Sequence, residues 1–285
     1  MADDPVPLPA DRLRTVRGFV FDLDGTLVLG DRNNQGLAPL PGAVELTRWV
    51  AAQGLPFAVF TNGTTKTPGQ LARTLRSLGF ELPDDAVLTP ASSAAEVFTR
   101  HGYRRVLVLG GDGVAEPLRA AGLEVVGPDR QLPVDAVLAG WFPEFTLPTL
   151  EAACHAVWAG ARLYSCSQSL FFATAGGRAI GTSRAISAMI GSLTGARARL
   201  VGKPSLAALS AAARRLGLPA SALAVVGDDP ELEVPMAHRG RALAIAVSSG
   251  LGGPESYRHL PPDRRPHLHL TGVDELLSVC RAAAG

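Results

Sequence analysis

A chain of 285 residues is long enough for one large domain or two smaller ones, each able to bury a proper core. Apolar residues at 47% and charged residues at 19% are globular composition, and a net charge of +1 without an aromatic-interleaved basic stripe excludes nucleic acid as an expected partner. Cys154, Cys166 and Cys280 are too few and too scattered for a disulfide framework or a zinc site. No apolar run is membrane-spanning and no signal-peptide order opens the chain, so a soluble protein of the reducing cytoplasm, with no membrane partner, is expected.

Residues 1–15 are Pro-rich and polar, a loose arm before the first strand. Phe19-Val20-Phe21 is a short apolar run, predicted as a buried strand, that ends in Asp22 and Asp24 and the breaker Gly25. Along an extended strand these two carboxylates share a face; if the chain turns after Asp22, their roles separate. An Asp-Gly hairpin lacks an antiparallel partner strand of matching length nearby, and an EF-hand lacks its closing Glu. After a loop from Leu29 to Leu40, Pro41-Gly42 opens a helix with Leu46, Trp49 and Val50 on one face, and Gly54 stops it. The strand Pro56 to Phe60 delivers Thr61-Asn62-Gly63-Thr64-Thr65 at its end, and a helix follows with Leu71, Leu75 and Leu78 in register.

From Pro90 the pattern repeats with other contents. A helix Ala91 to Arg100, a strand Arg105 to Leu109, a helix to Ala121, strands Glu124 to Val126 and Ala136 to Leu138, a helix Leu147 to Trp158 and a strand Arg162 to Tyr164 alternate as in a parallel α/β unit. Residues 91–179 are therefore expected to form an inserted α/β domain within a core made of residues 1–90 and 180–285. Gly110-Gly111-Asp112-Gly113 lacks the dinucleotide spacing and reads as a strand-to-helix turn. A helix Ser183 to Leu193 leads to Gly202-Lys203-Pro204. A further helix leads to the strand Leu223 to Val226, which runs into Gly227-Asp228-Asp229-Pro230. Leu243 to Val247 and His267 to Leu270 suggest a last strand pair, with His267 and His269 on the solvated face of an edge strand.

Four strand ends thus carry Asp22/Asp24, Thr61/Asn62, Lys203 and Asp228/Asp229. In open parallel sheets ligands bind beyond the C-terminal ends of the strands. Hard carboxylate oxygens without Cys or His nearby select Mg²⁺, which favours an anionic ligand such as phosphate, and a carboxylate can also serve as nucleophile to phosphorus. Each piece alone has a plainer explanation: Thr-Asn-Gly and Gly-Lys-Pro make turns, and Asp228-Asp229 before Pro230 can cap a helix. A cap does not predict three other strand ends of complementary chemistry.

Asp22-Leu23-Asp24-Gly25-Thr26, Thr61-Asn62-Gly63-Thr64, Gly202-Lys203-Pro204 and Gly227-Asp228-Asp229, in this order, resemble the four motifs of the haloacid dehalogenase superfamily of phosphatases. The likeness is to its NagD-like, p-nitrophenyl-phosphatase branch with an inserted α/β cap, and it spans Arg17 to Leu277. The resemblance implies a doubly wound parallel-sheet core with a cap, and a Mg²⁺-dependent phosphomonoesterase that forms an aspartyl-phosphate. It implies Asp22 as nucleophile, Asp24 as general acid and base, and Mg²⁺ at Asp22, Asp228 and the Asp24 carbonyl. Thr61, Asn62, Gly63 and Lys203 would bind the phosphoryl group. Its caps often help form dimers, which leaves a homodimer open. Phosphotransfer to another acceptor, or a phospho-ligand-binding protein with an impaired site, are the rival readings; phosphonatase chemistry needs a cap lysine, and residues 91–179 contain none.

The chain departs from the pattern twice. Where the branch has an Asp five residues after the metal-binding Asp, this chain has Glu233, so either Asp229 or Glu233 takes the supporting role. The polar, acidic cap segment before Gly176-Gly177 is replaced by Ser165-Cys166-Ser167-Gln168-Ser169-Leu170-Phe171-Phe172. Ser167, Ser169 and Phe171 become the candidates for substrate choice, and the exchange suggests a small phosphate ester whose leaving group has an apolar or aromatic portion.

Overall fold

The computed structural model describes residues 12–30, 36–83, 85–130, 132–174 and 177–284; most of the N-terminal arm and the loop residues Asp31, Asn33 and Asn34 lie outside them. In chain order the strands are β1 (Gly18–Phe21), β2 (Val28–Leu29), β3 (Ala38–Pro39), β4 (Phe57–Phe60), β5 (Val87–Leu88), β6 (Arg105–Leu109), β7 (Glu124–Val126) and β8 (Ala136–Ala139). They continue with β9 (Arg162–Ser165), β10 (Phe171–Thr174), β11 (Gly177–Ile180), β12 (Arg199–Leu200), β13 (Leu223–Gly227), β14 (Leu243–Val247) and β15 (Leu268–Leu270). Two compact units result, Met1–Phe60 with Leu75–Ala86 and Ala212–Gly285, and Thr61–Thr74 with Val87–Ala211. The second contains residues 91–179, in which the sequence places an inserted domain, together with flanking segments.

In the first unit β15, β14, β13, β1 and β4 lie side by side in that order, each neighbouring pair parallel. A parallel strand covered on both faces has no solvated side, so it must read as an unbroken apolar run. Leu-Ala-Ile-Ala-Val in β14 and Gly-Phe-Val-Phe in β1 do so, and both are buried throughout. The helices Ala43–Ala52 and Val273–Ala284 pack together. Each buries residues at helical spacing: Ala43, Leu46 and Val50 on one, and Val273, Leu276, Leu277 and Cys280 on the other. The turn after Asp24 does not fold β1 into a hairpin; it leads to a two-residue antiparallel ladder between β2 and β3.

In the second unit the order is β12-β9-β8-β6-β7, again parallel. Alternation along the strands divides the core into two layers. Val106, Val108, Ala136, Leu138 and Tyr164 face Ala94 and Phe98 of the helix Pro90–Arg100 and Leu118 of the helix Asp112–Ala120. Leu107, Leu109, Val137, Ala139 and Leu163 face Ala153 and Cys154 of the helix Leu147–Trp158 and Ile186 and Ile190 of the helix Thr182–Thr194. The fold is therefore α/β, with helices on both faces of parallel sheets. The antiparallel pair β10–β11 was not expected from the sequence: Gly176-Gly177 is a turn pair, but Phe171 to Ile180 shows no clean alternation to mark two strands around it.

His267 and His269 do not stand on a solvated face. Both are half-buried: His267 Nδ1 accepts the Ala244 N–H at 2.8 Å, and His269 Nε2 lies 2.8 Å from Ser248 Oγ. Burial above all, then Arg12 and His238, lower the His267 pKa to about 4. Between the ordinary histidine pKa of about 6.5 and that value, the unfolded chain takes up a proton that the folded chain refuses. Stability is whole above this window and falls as pH drops through it. Chemical denaturation of the wild type against His267→Asn, whose carbonyl keeps an acceptor for Ala244, is expected to show a shallower loss for the variant between pH 6.5 and 4. Equal slopes would remove His267 as the cause.

Candidate active site

The end of β1 is held by the Asp22 N–H, which donates to the Val226 carbonyl at 2.8 Å. The chain then leaves the strand line. Gly25, at φ +82°, donates its N–H to Val28, and Ser249 Oγ donates to the Gly25 carbonyl at 2.7 Å. Because the turn intervenes, Asp22 is buried while Asp24 stays half-buried, and Thr26 Oγ1 donates to Asp22 Oδ2 at 3.4 Å.

One strand over, β13 ends at Gly227 and delivers Asp228, 2% exposed. Its carboxyl is hydrogen-bonded to that of Asp22 and accepts the Leu251 N–H at 2.7 Å. A Cβ on Gly25 would stand 2.5 Å from Asp228 Oδ2, and one on Gly250 would collide with the same atom, so only glycines let both loops close on it. Burial, then the charges of Asp22 and Glu233, push the Asp228 pKa up to about 8, against the Leu251 N–H that lowers it.

Glu233, 1% exposed, opens the helix Glu233–Arg239, and its Oε2 accepts the Asp229 N–H at 3.2 Å. The Asp229 carboxylate instead accepts the Glu231 N–H at 2.8 Å, closing its own turn. Of the two supporting candidates, Glu233 is thus the one buried against the Asp228 strand end. The donor set is oxygen alone, and its carboxylates repel one another unless a proton or cation joins them, which suits Mg²⁺. Among the described residues no three or more His, Cys, Asp or Glu side chains form a metal-holding group. Mg²⁺ is commonly held by one or two carboxylates, with waters and phosphate oxygens completing its shell, so the two paired aspartates meet that demand.

In the second unit Thr61 is buried, its N–H donates to Leu88, and its Oγ1 accepts the Gly63 N–H at 3.0 Å. Asn62 uses both ends of its amide on one residue: Nδ2 donates to the Lys203 carbonyl at 3.0 Å, and Oδ1 accepts the Lys203 N–H at 2.8 Å. Gly202 permits this approach, since a Cβ there would stand 2.6 Å from Asn62 Oδ1 and collide with the Cys166 carbonyl. Lys203, one of two lysines in the chain, is 2% exposed.

The Ser165–Ser169 segment is a closed network of its own. Ser165 Oγ donates to the Ser167 carbonyl at 2.7 Å, Ser167 Oγ donates to Ser169 Oγ at 3.2 Å, and Arg184 Nη1 donates to the Gln168 carbonyl at 2.8 Å. Phe171 lies in β10, and its side chain is outside what the structure describes. The sequence reading passed over the Leu251 N–H and Ser249. Their signal was present in Ser248-Ser249-Gly250-Leu251-Gly252-Gly253, a run of small residues at the end of β14.

Carboxylates at two neighbouring strand ends and a buried lysine clamped to a Thr-Asn turn are matched by similarity to known proteins. The haloacid dehalogenase-like hydrolase family model matches residues 19–124, and a second, HAD-hydrolase-like model matches residues 200–276. An acid sugar phosphatase of Staphylococcus saprophyticus is 30% identical over 217 residues, covering 76% of this chain and 80% of its own. NagD from Escherichia coli shares the fold with a TM-score of 0.80 at 23% identity, over 91% of this chain and 98% of that one. The glycerol phosphate phosphatase Rv1692 of Mycobacterium tuberculosis, solved with magnesium, aligns with a TM-score of 0.80 at 26% identity, over 94% of this chain and 77% of its own. By motif order and these relatives, the chain belongs to the haloacid dehalogenase-like hydrolases, as a phosphatase.

Proposed function

We propose that the chain is a Mg²⁺-dependent phosphomonoesterase for a small molecule, working through an aspartyl-phosphate on Asp22. The observation that carries the reading is the buried, hydrogen-bonded pair Asp22–Asp228 at adjoining parallel strand ends. Mg²⁺, held by Asp22, Asp228 and the Asp24 carbonyl with Glu233 supporting Asp228, would offset charge on the phosphoryl oxygens. An Asp22 oxygen attacks phosphorus and the bond to the leaving oxygen breaks. Asp24 gives that oxygen its proton, so the alcohol departs neutral. A water then attacks the same phosphorus, Asp24 takes its proton back, and orthophosphate leaves with the Asp22 carboxylate restored.

Lys203 supplies a fixed positive charge to the phosphoryl group and Thr61 a hydroxyl, both worth most where water is excluded. Asn62, expected from the sequence to bind phosphate, is better placed to hold Lys203: its amide already serves both polar groups of that residue's backbone. The proposed cap, residues 91–179, would choose the leaving group. Relatives named for acid sugar phosphate and glycerol phosphate favour small polar esters, whereas the serine and apolar residues from Ser165 to Phe172 favour an apolar portion. Turnover across a panel of phosphate esters separates the two.

Phosphate release is expected to stop on chelation and return with Mg²⁺; release that persists in chelator would remove the metal from the mechanism. Asp22→Asn is expected to lower kcat at least about 1,000-fold with the melting curve intact. Near-wild-type turnover would end the assignment of the nucleophile. Asn62→Ala is expected to lower kcat/KM by about 100-fold and to weaken inhibition by orthophosphate, because a displaced lysine meets the phosphoryl group poorly in both states. Unchanged kinetics would mean that Lys203 keeps its place without the clamp.

A further inference from the structure

The strand order β12-β9-β8-β6-β7 reverses between β6 and β8. The chain leaves β6 for β7 on one flank, then builds β8, β9 and β12 on the other. At such a reversal the connections part to opposite sides and leave a crevice beyond the strand ends, the place where open parallel sheets hold ligands. Here the crevice receives the chain's own segment after Thr61-Asn62. A Cβ on Gly113 would collide with the Thr64 carbonyl and stand 2.9 Å from that of Lys66, and one on Gly140 would lie 3.5 Å from Thr64 Oγ1. Trp141, two residues beyond β8, donates its backbone N–H to Thr64 Oγ1 at 3.0 Å.

Thr64 is buried and stands three residues after Thr61, so the hydrogen bond fixes Trp141 beside the loop assigned to phosphate. Phe142, next in the chain, packs against the apolar layer beneath β8 and β9, while Trp141 belongs to neither apolar layer of this unit and is 40% exposed. The residue whose backbone is tied to that segment thus keeps a large ring partly open to solvent.

We propose that Trp141 is a specificity-determining residue that packs on the leaving group of the phosphate ester, and that Thr64 positions it. The proposal rests on the phosphatase reading above. It selects leaving groups with a flat or apolar face over those that present only hydroxyls, since an indole gains by covering apolar surface and has one N–H to offer.

Steady-state kinetics on 4-nitrophenyl phosphate and glycerol phosphate, with orthophosphate inhibition measured alongside, test it. Trp141→Ala is expected to raise KM for the aryl ester about tenfold with kcat changed by less than about twofold, and to leave the other two constants in place. Trp141→Phe should recover most of the loss. An unmoved aryl KM, or a parallel shift of all three constants, overturns the proposal; the second is the mark of a displaced phosphate loop. Binding is read without turnover in Asp22→Asn carrying Trp49→Phe and Trp158→Phe, where Trp141 is the sole indole. The nitroaryl ester should quench its emission and orthophosphate should not. No quenching by the aryl ester at saturation overturns the contact. Quenching in a protein whose wild type hydrolyses neither ester sustains the contact and overturns the phosphatase reading.

Discussion

Asp22, Asp228 and Glu233 are buried close enough to repel one another, and a protein interior tolerates such a group only when a proton or a cation is shared among them. Much else in the first unit answers to that constraint. The parallel pairing of β1 with β13 brings the two aspartates to adjoining strand ends, and Gly25 and Gly250 clear the space around Asp228. The Leu251 N–H gives that carboxylate one fixed donor. Without an ion the arrangement favours a protonated Asp228 and is costly to hold; with one, the same crowding becomes affinity.

Much of the fold was legible in the sequence because parallel strands covered on both faces have one pattern available to them. Leu243–Val247, Arg105–Leu109 and Glu124–Val126 were readable to the residue, and the small polar groups after them stood out against the apolar runs. What escaped was structure fixed by partners rather than pattern. Arg199–Leu200 is a strand because β9 lies beside it, and nothing in Arg-Ala-Arg-Leu announces one. His267 looks like an edge residue by alternation, but its ring nitrogen takes an N–H from the neighbouring strand.

The same division runs through the candidate site. That Asp22, Thr61 and Asp228 stand at strand ends follows from the apolar runs before them; Lys203 stands out by composition, while the short strand before it does not. That Asn62 spends its amide on the backbone of Lys203 does not follow, since an asparagine in a Thr-Asn-Gly turn looks equally suited to phosphate, to the turn or to another loop. Nor does the spacing announce how Asp229 and Glu233 divide their contacts, Glu233 accepting the Asp229 N–H and Asp229 that of Glu231.

The clamp between Asn62 and Lys203 joins residues 141 positions apart. Contacts of such separation carry a large loop-closure cost and tend to be made late in folding. During synthesis, a ribosome-bound chain that has exposed Asp22 and Thr61 still lacks the lysine, its clamp and the second aspartate. A chain that ends before residue 203 therefore presents Thr61 and Asn62 without the backbone groups on which the Asn62 amide is spent.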